Sequence, residues 1–147
     1  MEKTYGYING GGPAPGASAV LAGSATVLQK AGNRLLAIPR GWEGMLVAQP
    51  SQEIIDVTGW SREEIQQLIH QSGMPMETSR TKIDPGEHPE QLQAVMAMAQ
   101  RYGIEGLIAN GGDDTMTTAR ALWEAGLPVV GVAKTIDCDI AVRDWIE

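Results

Sequence analysis

Four short segments of this 147-residue chain hold residue types that can handle phosphate. Residues 9–16 read NGGGPAPG, a strand end followed by glycines and the start of a helix. Backbone amides with few Cβ atoms in the way, and a helix N-terminus behind them, suit phosphate oxygens; the same run equally suits a tight strand-to-helix turn. It is neither G-x-x-x-x-G-K-[ST] nor G-x-G-x-x-G, because Pro13 and Pro15 interrupt it. Residues 111–115, GGDDT, repeat the arrangement with two carboxylates at a helix entrance. Asp114 there can serve as an N-cap. Asp113, behind two glycines that admit a ligand closely, is placed as an aspartate that holds Mg2+ beside a phosphate, the ion keeping most of its waters.

Residues 134–139, KTIDCD, add a cation, a hydroxyl and two carboxylates. In extended backbone Asp137 and Asp139 point to one side and Cys138 to the other. One acid can then take a proton while the second orients it. Cys138, flanked by carboxylates, is a poor nucleophile and reads as packing. Residues 78–82, TSRTK, set two cations among three hydroxyls. Arg80 matters only if its loop reaches the same place, where its fork of donors binds phosphoryl oxygens. Trp42 and Glu43 in GWEG read as turn architecture, His70 and His88 as surface or helix-end residues, and the seven methionines as space-filling.

The elements that must position these segments alternate. Residues 5–8 read as a strand, followed beyond the glycine run by a helix with Val20, Ser24, Val27, Leu28 and Ala31 on one face. Residues 34–38 read as a second strand, closed by Pro39 and the glycines of GWEG. Ser61 with Glu64 is a capping-box signature ahead of a helix with Ile65, Leu68 and Ile69 as its stripe. Pro89 suits the first turn of a further helix, whose Leu92, Val95, Met96 and Ala99 share a face and whose stop is Gly103. Residues 106–109 are a buried strand, 114–125 a helix with Ala119, Leu122 and Trp123 on one side and Gly126 after it, and 129–132 a last strand. Short apolar strands alternating with helices imply right-handed crossovers and a mostly parallel sheet flanked by helices, a Rossmann-like α/β fold. Ligands of such sheets sit beyond the carboxyl ends of the strands. The three glycine-rich or charged segments at 9–16, 111–115 and 134–139 each follow a strand, so they should meet in one cleft.

Composition bounds the rest. One domain over 1–147 is the expectation for this length, with 43% hydrophobic and 20% charged residues and no linker or repeat. The net charge of -7 repels phosphate backbones and argues against nucleic acid as a partner. A single cysteine forms no internal disulfide, the N-terminus lacks a signal-peptide apolar run, and the apolar stretches fall short of the ~20 residues that cross a bilayer. A cytoplasmic protein without a membrane partner is expected.

GGGPAPG, GWEG, TSR, GGDDT and KTIDCD, in that order and spacing, resemble the N-terminal half of a phosphofructokinase. The resemblance implies transfer of a phosphoryl group from pyrophosphate or ATP, with Mg2+, to the 1-hydroxyl of fructose 6-phosphate, a step of glycolysis. It implies Asp137 as general base, Asp113 as the Mg2+ anchor, Arg80 and Lys134 as clamps on the moving phosphoryl, and Thr135 and Asp139 as groups that contact the acceptor and position the base. Gly11, with Gly12, Gly112, Asp114 and Thr115, would pass or bind the donor phosphates. Family members that use ATP typically have glycine where Asp114 stands; those that use pyrophosphate resemble this chain, with an aspartate there and a lysine before TID. A carboxylate ~4 Å from an α-phosphate costs about 4 kcal/mol at an effective dielectric of ~20, or about three decades of affinity. Pyrophosphate has no α-phosphate to repel, and Mg2+ between the groups would reverse the sign. Asp114→Gly is therefore expected to improve ATP use relative to pyrophosphate.

This chain departs from the family pattern at Ser18 and Cys138, where Asn is usual, at Ala133, where Pro is usual, and over residues 72–77, where Glu77 adds a negative charge close to Arg80. Family members run to ~300 residues or more, two domains by size, and the half that supplies most of the sugar-phosphate site lies outside this sequence. Two alternatives follow: a phosphotransferase chain that works as a homo-oligomer or with another phosphofructokinase chain, or a half-length, non-catalytic module that holds pyrophosphate or a nucleotide. NAD and diacylglycerol kinases share a GGDG-type loop, but KTID and TSR disfavour them.

Overall fold

The fold is described by a computed structural model over residues 1–46, 54–71 and 74–135. Asp137, Cys138 and Asp139 lie outside the described residues, as do Ser72 and Gly73. Strand β1 (Thr4–Asn9) leads into helix α1 (Ala17–Lys30), strand β2 (Arg34–Ala37) into the short helix α2 (Gly41–Leu46), and the two-residue strand β3 (Ile55–Asp56) into helix α3 (Arg62–His70). Helix α4 (Pro89–Arg101), strand β4 (Ile104–Gly111), helix α5 (Asp113–Glu124) and strand β5 (Val129–Ala133) follow.

The sheet order is β3-β2-β1-β4-β5. β1 pairs in parallel with β2 and β4, and β4 pairs in parallel with β5. β3 is antiparallel to β2, an edge piece that the sequence patterning does not reveal because two residues carry no period. The chain builds outward from β1 on one side and returns to build β4 and β5 on the other. The strand order therefore reverses between β1 and β4, and a crevice opens beyond their carboxyl ends.

Successive strand residues feed opposite faces. Tyr7, Leu35 and Ala37 pack with Leu21, Ala22, Ala25, Ile65 and Leu68 beneath α1 and α3. Ile8, Leu36 and Ile38 pack with Trp42, Met45, Val95, Leu107 and Leu122 beneath α2, α4 and α5. Where both faces are covered, over most of β1, β2 and β4, apolar residues fall at successive positions rather than alternating, whereas β5 at the edge is more open.

Helix starts follow the sequence signals closely. Glu64 N–H donates to Ser61 Oγ at 3.2 Å and Ser61 N–H donates back to Glu64 Oε2 at 2.7 Å, a complete capping box on α3. The Glu64 carboxyl is held below its ordinary pKa by those Ser61 hydrogen bonds, the backbone one first. Pro89 opens α4. Several stripes differ from expectation. α1 buries Ala17, Ser18, Leu21, Ala22 and Ala25, while Val27 is exposed. Small residues let the helix lie close on the sheet, and their weak hydrophobicity hides that face from a periodicity search dominated by Val27. Ile69 and Trp123 also face outward rather than joining their stripes.

GWEG is not a closing turn but the first part of helix α2. Arg40 and Gly41 have φ of 58° and 54°. A Cβ on Gly41 would collide with the Asn9 carbonyl, so glycine there lets α2 press on the end of β1. That contact buries Trp42, which with Tyr7 gives this Phe-free core its largest fully buried side chains.

Candidate active site cleft

A cleft of about 600 Å³ opens beyond the carboxyl ends of β1, β4 and β5. Its walls are the glycine loop at 10–14, the Arg80-Thr81-Lys82 segment, the 112–115 entrance of α5, and Lys134 with Thr135 after β5, with Trp42 also lining it. The glycine loop, GGDDT and the described part of the β5 terminus thus meet, and Arg80 reaches the same place.

Buried polar residues fix the floor. Asn9 and Asn110 are register partners at the ends of β1 and β4, and both are buried. Asn110 Nδ2 donates to Asn9 Oδ1 at 3.0 Å and to the Tyr7 hydroxyl at 3.1 Å, and that hydroxyl donates to the Ala17 carbonyl at the start of α1 at 3.1 Å. Burial, only partly offset by the Asn110 hydrogen bond, pushes the Tyr7 pKa up to about 12. Residue-by-residue reasoning passed over these asparagines, although the repeated Asn-Gly-Gly at two strand ends was a usable signal.

Thr115 explains two of the glycines. It is buried at the entrance of α5, and a Cβ on Gly10 or on Gly111 would collide with its hydroxyl. The glycines therefore admit Thr115, which draws α5 against the ends of β1 and β4. Gly112 is the N-cap of α5 and makes no side-chain capping bond, so Asp113 and Asp114 lie in the first helical turn and Asp114 is not a cap. Both carboxylates complement the positive end of the helix dipole.

The glycine loop spends part of its backbone internally. Gly10 N–H donates to the Asn110 carbonyl at 2.8 Å and Gly11 N–H to the Ser79 carbonyl at 3.0 Å. Gly11 thus offers the cleft a bare Cα with open space where a Cβ would stand, rather than its amide. Lys134 Nζ donates to the carbonyls of Gly10 at 3.1 Å and Gly12 at 2.6 Å. Its half-burial lowers the ammonium pKa. Two of its three donors are engaged by the loop, which leaves one for a bound oxyanion.

Ser79 ties the Arg80 segment to this loop. Besides accepting from Gly11, it donates its hydroxyl to the Arg40 carbonyl at 2.9 Å and accepts from Thr81 N–H at 3.3 Å. Glu43 lies 3.1 Å from Arg40, and Glu77 lies 3.9 Å from the same guanidinium, so the charge of Glu77 is turned toward Arg40. Asp114 is ion-paired: Lys82 Nζ stands 2.6 Å from its Oδ2, with both side chains largely exposed at the rim. The Lys82 pKa is raised, first by the hydrogen bond to Asp114, then by that carboxylate's charge.

Three cations (Arg80, Lys82 and Lys134) and two carboxylates (Asp113 and Asp114) line the cleft. A chain of net charge -7 has thus gathered a net positive lining at its switch point, which suits an anion. No cluster of three or more His, Cys, Asp or Glu suited to a metal occurs among the described residues. The exposed Asp113 carboxylate fits Mg2+ in the manner the ion favours, with one or two carboxylates, substrate phosphate oxygens and waters. His70 and His88 are exposed and are not among the residues lining the cleft, His88 pairing with Glu90 at 3.0 Å.

A mostly parallel sheet with a cationic cleft at its switch point defines a Rossmann-like α/β domain. Sequence comparison narrows the class. The phosphofructokinase family profile matches residues 4–146, and the chain belongs to that family. It is 30% identical over 144 residues to a pyrophosphate–fructose 6-phosphate 1-phosphotransferase of Dictyoglomus thermophilum, covering 98% of this chain and 39% of that protein. It is 34% identical over 143 residues to ATP-dependent 6-phosphofructokinase 2 of Streptomyces coelicolor, covering 95% and 38%. The crystal structure of a pyrophosphate-dependent phosphofructokinase from Marinobacter aquaeolei superposes with a TM-score of 0.76 at 26% identity, over 92% of this chain and 34% of that one. The chain spans about two fifths of the length of these curated relatives. No helix among the described residues is long and apolar enough to cross a membrane.

Proposed function

We propose that this chain is the donor-binding part of a phosphotransferase that moves a phosphoryl group from pyrophosphate, or ATP, to the 1-hydroxyl of fructose 6-phosphate. The observation that carries the proposal is the convergence of Arg80, Asp113 and Lys134 on one net-positive cleft. Phosphoryl transfer asks mainly for positioning and charge stabilisation. Arg80 offers a planar fork of donors to the transferring oxygens, and Lys134, steadied by the Gly10 and Gly12 carbonyls, offers its remaining N–H. Asp113 would hold Mg2+, whose chemistry when bound is to neutralise charge on the donor oxygens. Thr135 stands at the cleft on the way to Asp137 and Asp139. In this reading Asp137 takes the proton of the acceptor hydroxyl as the new O–P bond forms, Asp139 and Thr135 orient base and acceptor, and phosphate or ADP leaves with the bridging oxygen. A positioned base typically contributes about 10² to 10⁴ in rate.

A second reading is a non-catalytic module for pyrophosphate or a nucleotide. The cleft described above serves that reading too, since a donor cleft needs no acceptor site in order to bind. Calorimetry with Mg-pyrophosphate and Mg-ATP, beside a turnover assay with fructose 6-phosphate, separates the two. Binding with turnover supports the enzyme, binding alone the module, and binding of neither donor removes both.

A further inference from the structure

Asp114, taken alone, is a negative charge at the rim of an anion cleft and a barrier to any donor longer than pyrophosphate. The structure places Lys82 Nζ 2.6 Å from its carboxylate. Lys82 comes from the Arg80 segment and Asp114 from the first turn of α5, so the pair spans the mouth between two separate walls. The charge of Asp113 reaches the same ammonium, and raises its pKa further, though as the weakest contributor. Lys134 sits deeper, half-buried on the glycine loop, so an oxyanion held by Lys134 and Arg80 leaves the rim to whatever extends beyond it.

We infer that Lys82 is a donor-selectivity residue: by pairing with Asp114 across the cleft mouth, it offsets much of the repulsion that would otherwise turn away a nucleoside triphosphate. This inference rests on the donor-binding function proposed above. Lys82 belongs to none of the five family motifs and lies two residues beyond TSR. The pair is exposed and partly screened by salt, so its contribution to stability is small; its effect is on the potential met by an incoming phosphate chain. A pyrophosphate, two phosphoryl groups long, is held inside the rim and feels the pair less than ATP does.

The test measures binding of Mg-ATP and Mg-pyrophosphate by calorimetry at fixed ionic strength. Lys82→Gln is expected to lower ATP affinity relative to pyrophosphate by about tenfold. Lys82→Arg, which keeps the charge, is expected to retain the wild-type ratio. Asp114→Asn provides the decisive background, because Lys82→Gln added to it should leave the ratio where Asp114→Asn alone puts it. An equal loss in both backgrounds would mean that Lys82 grips the donor directly and would overturn the inference, as would an unmoved ratio in Lys82→Gln. Wild-type protein that binds neither donor overturns this inference and the proposed function together; binding with an unmoved ratio overturns this inference alone. Circular dichroism of each variant verifies the fold, and Asp114→Asn gives an independent reading should Lys82→Gln misfold.

Discussion

Tyr7 is the residue whose chemistry the fold changes most. Its hydroxyl is buried between Asn110 and the Ala17 carbonyl, and its pKa rises to about 12 because burial disfavours the phenolate. A group whose folded pKa lies above its unfolded value contributes stability that is complete below the unfolded pKa, near 10, and lost as pH rises toward the folded one. Wild-type protein should therefore lose about 2 to 3 kcal/mol between pH 10 and pH 12 through this group. Tyr7→Phe should start less stable at neutral pH by about 1 kcal/mol, from the lost hydrogen bonds, and lack that alkaline component. Thermal melts of both proteins across pH 9 to 12 give the difference; parallel curves would show that Tyr7 does not titrate in this way. Asp114 also changes at this scale. Its sequence neighbours mark it as an uncompensated charge, whereas its spatial neighbour is Lys82. Asp114→Gly should still raise ATP use relative to pyrophosphate, because an exposed, salt-screened pair leaves part of the repulsion in place; a donor ratio unchanged in an active enzyme would count against this.

At the scale of elements, the segment carrying Arg80 has no helix or strand of its own beyond a single bridge between Gly10 and Ser79. Ser79 holds it through its carbonyl, its hydroxyl and that bridge, and the Arg40 end of the contact sits at positive φ ahead of α2. Ser79→Ala removes the hydroxyl's two hydrogen bonds, at about 1 kcal/mol each at most. It should lower pyrophosphate affinity several-fold by letting Arg80 drift, while the melting temperature falls by only about 2 to 4 °C per kcal/mol lost. Unchanged affinity would show that the segment is held by other contacts. Elements were legible in proportion to how local their signals are. The capping box of α3, Pro89 at the start of α4 and the glycines after α4 and α5 act within one turn, and each marks the boundary found. α2 was missed because two glycines in GWEG look like a turn, when one of them is needed for helix-to-strand contact with Asn9. The buried face of α1 was misplaced because, Leu21 apart, alanine and serine make it and carry little hydrophobic weight.

At the scale of the whole molecule, β5 ends the sheet, and among the described residues nothing pairs with its outer edge. Val130 on β5 is 63% exposed and Trp123 on α5 is 64% exposed, so two large apolar side chains stand open on these elements. Unpaired edges with apolar side chains recruit further strands. The chain is therefore expected to self-associate with rising concentration in light scattering, and Val130→Lys, a charge on the edge, to shift it toward monomer. A wild-type species that stays monomeric throughout would contradict this.

The sequence by itself determined the alternation of strands and helices, the placing of each glycine-rich segment after a strand, and the family, because periodicity, caps and turn residues act over a few positions and ordered motifs survive divergence. Only the tertiary structure decided that β1 and β4 lie side by side. That pairing brings Asn110 to Asn9 across 101 positions and Lys134 to Gly12 across 122. Local patterning specifies neither partner, because which strand ends become neighbours depends on how the whole sheet buries both its faces.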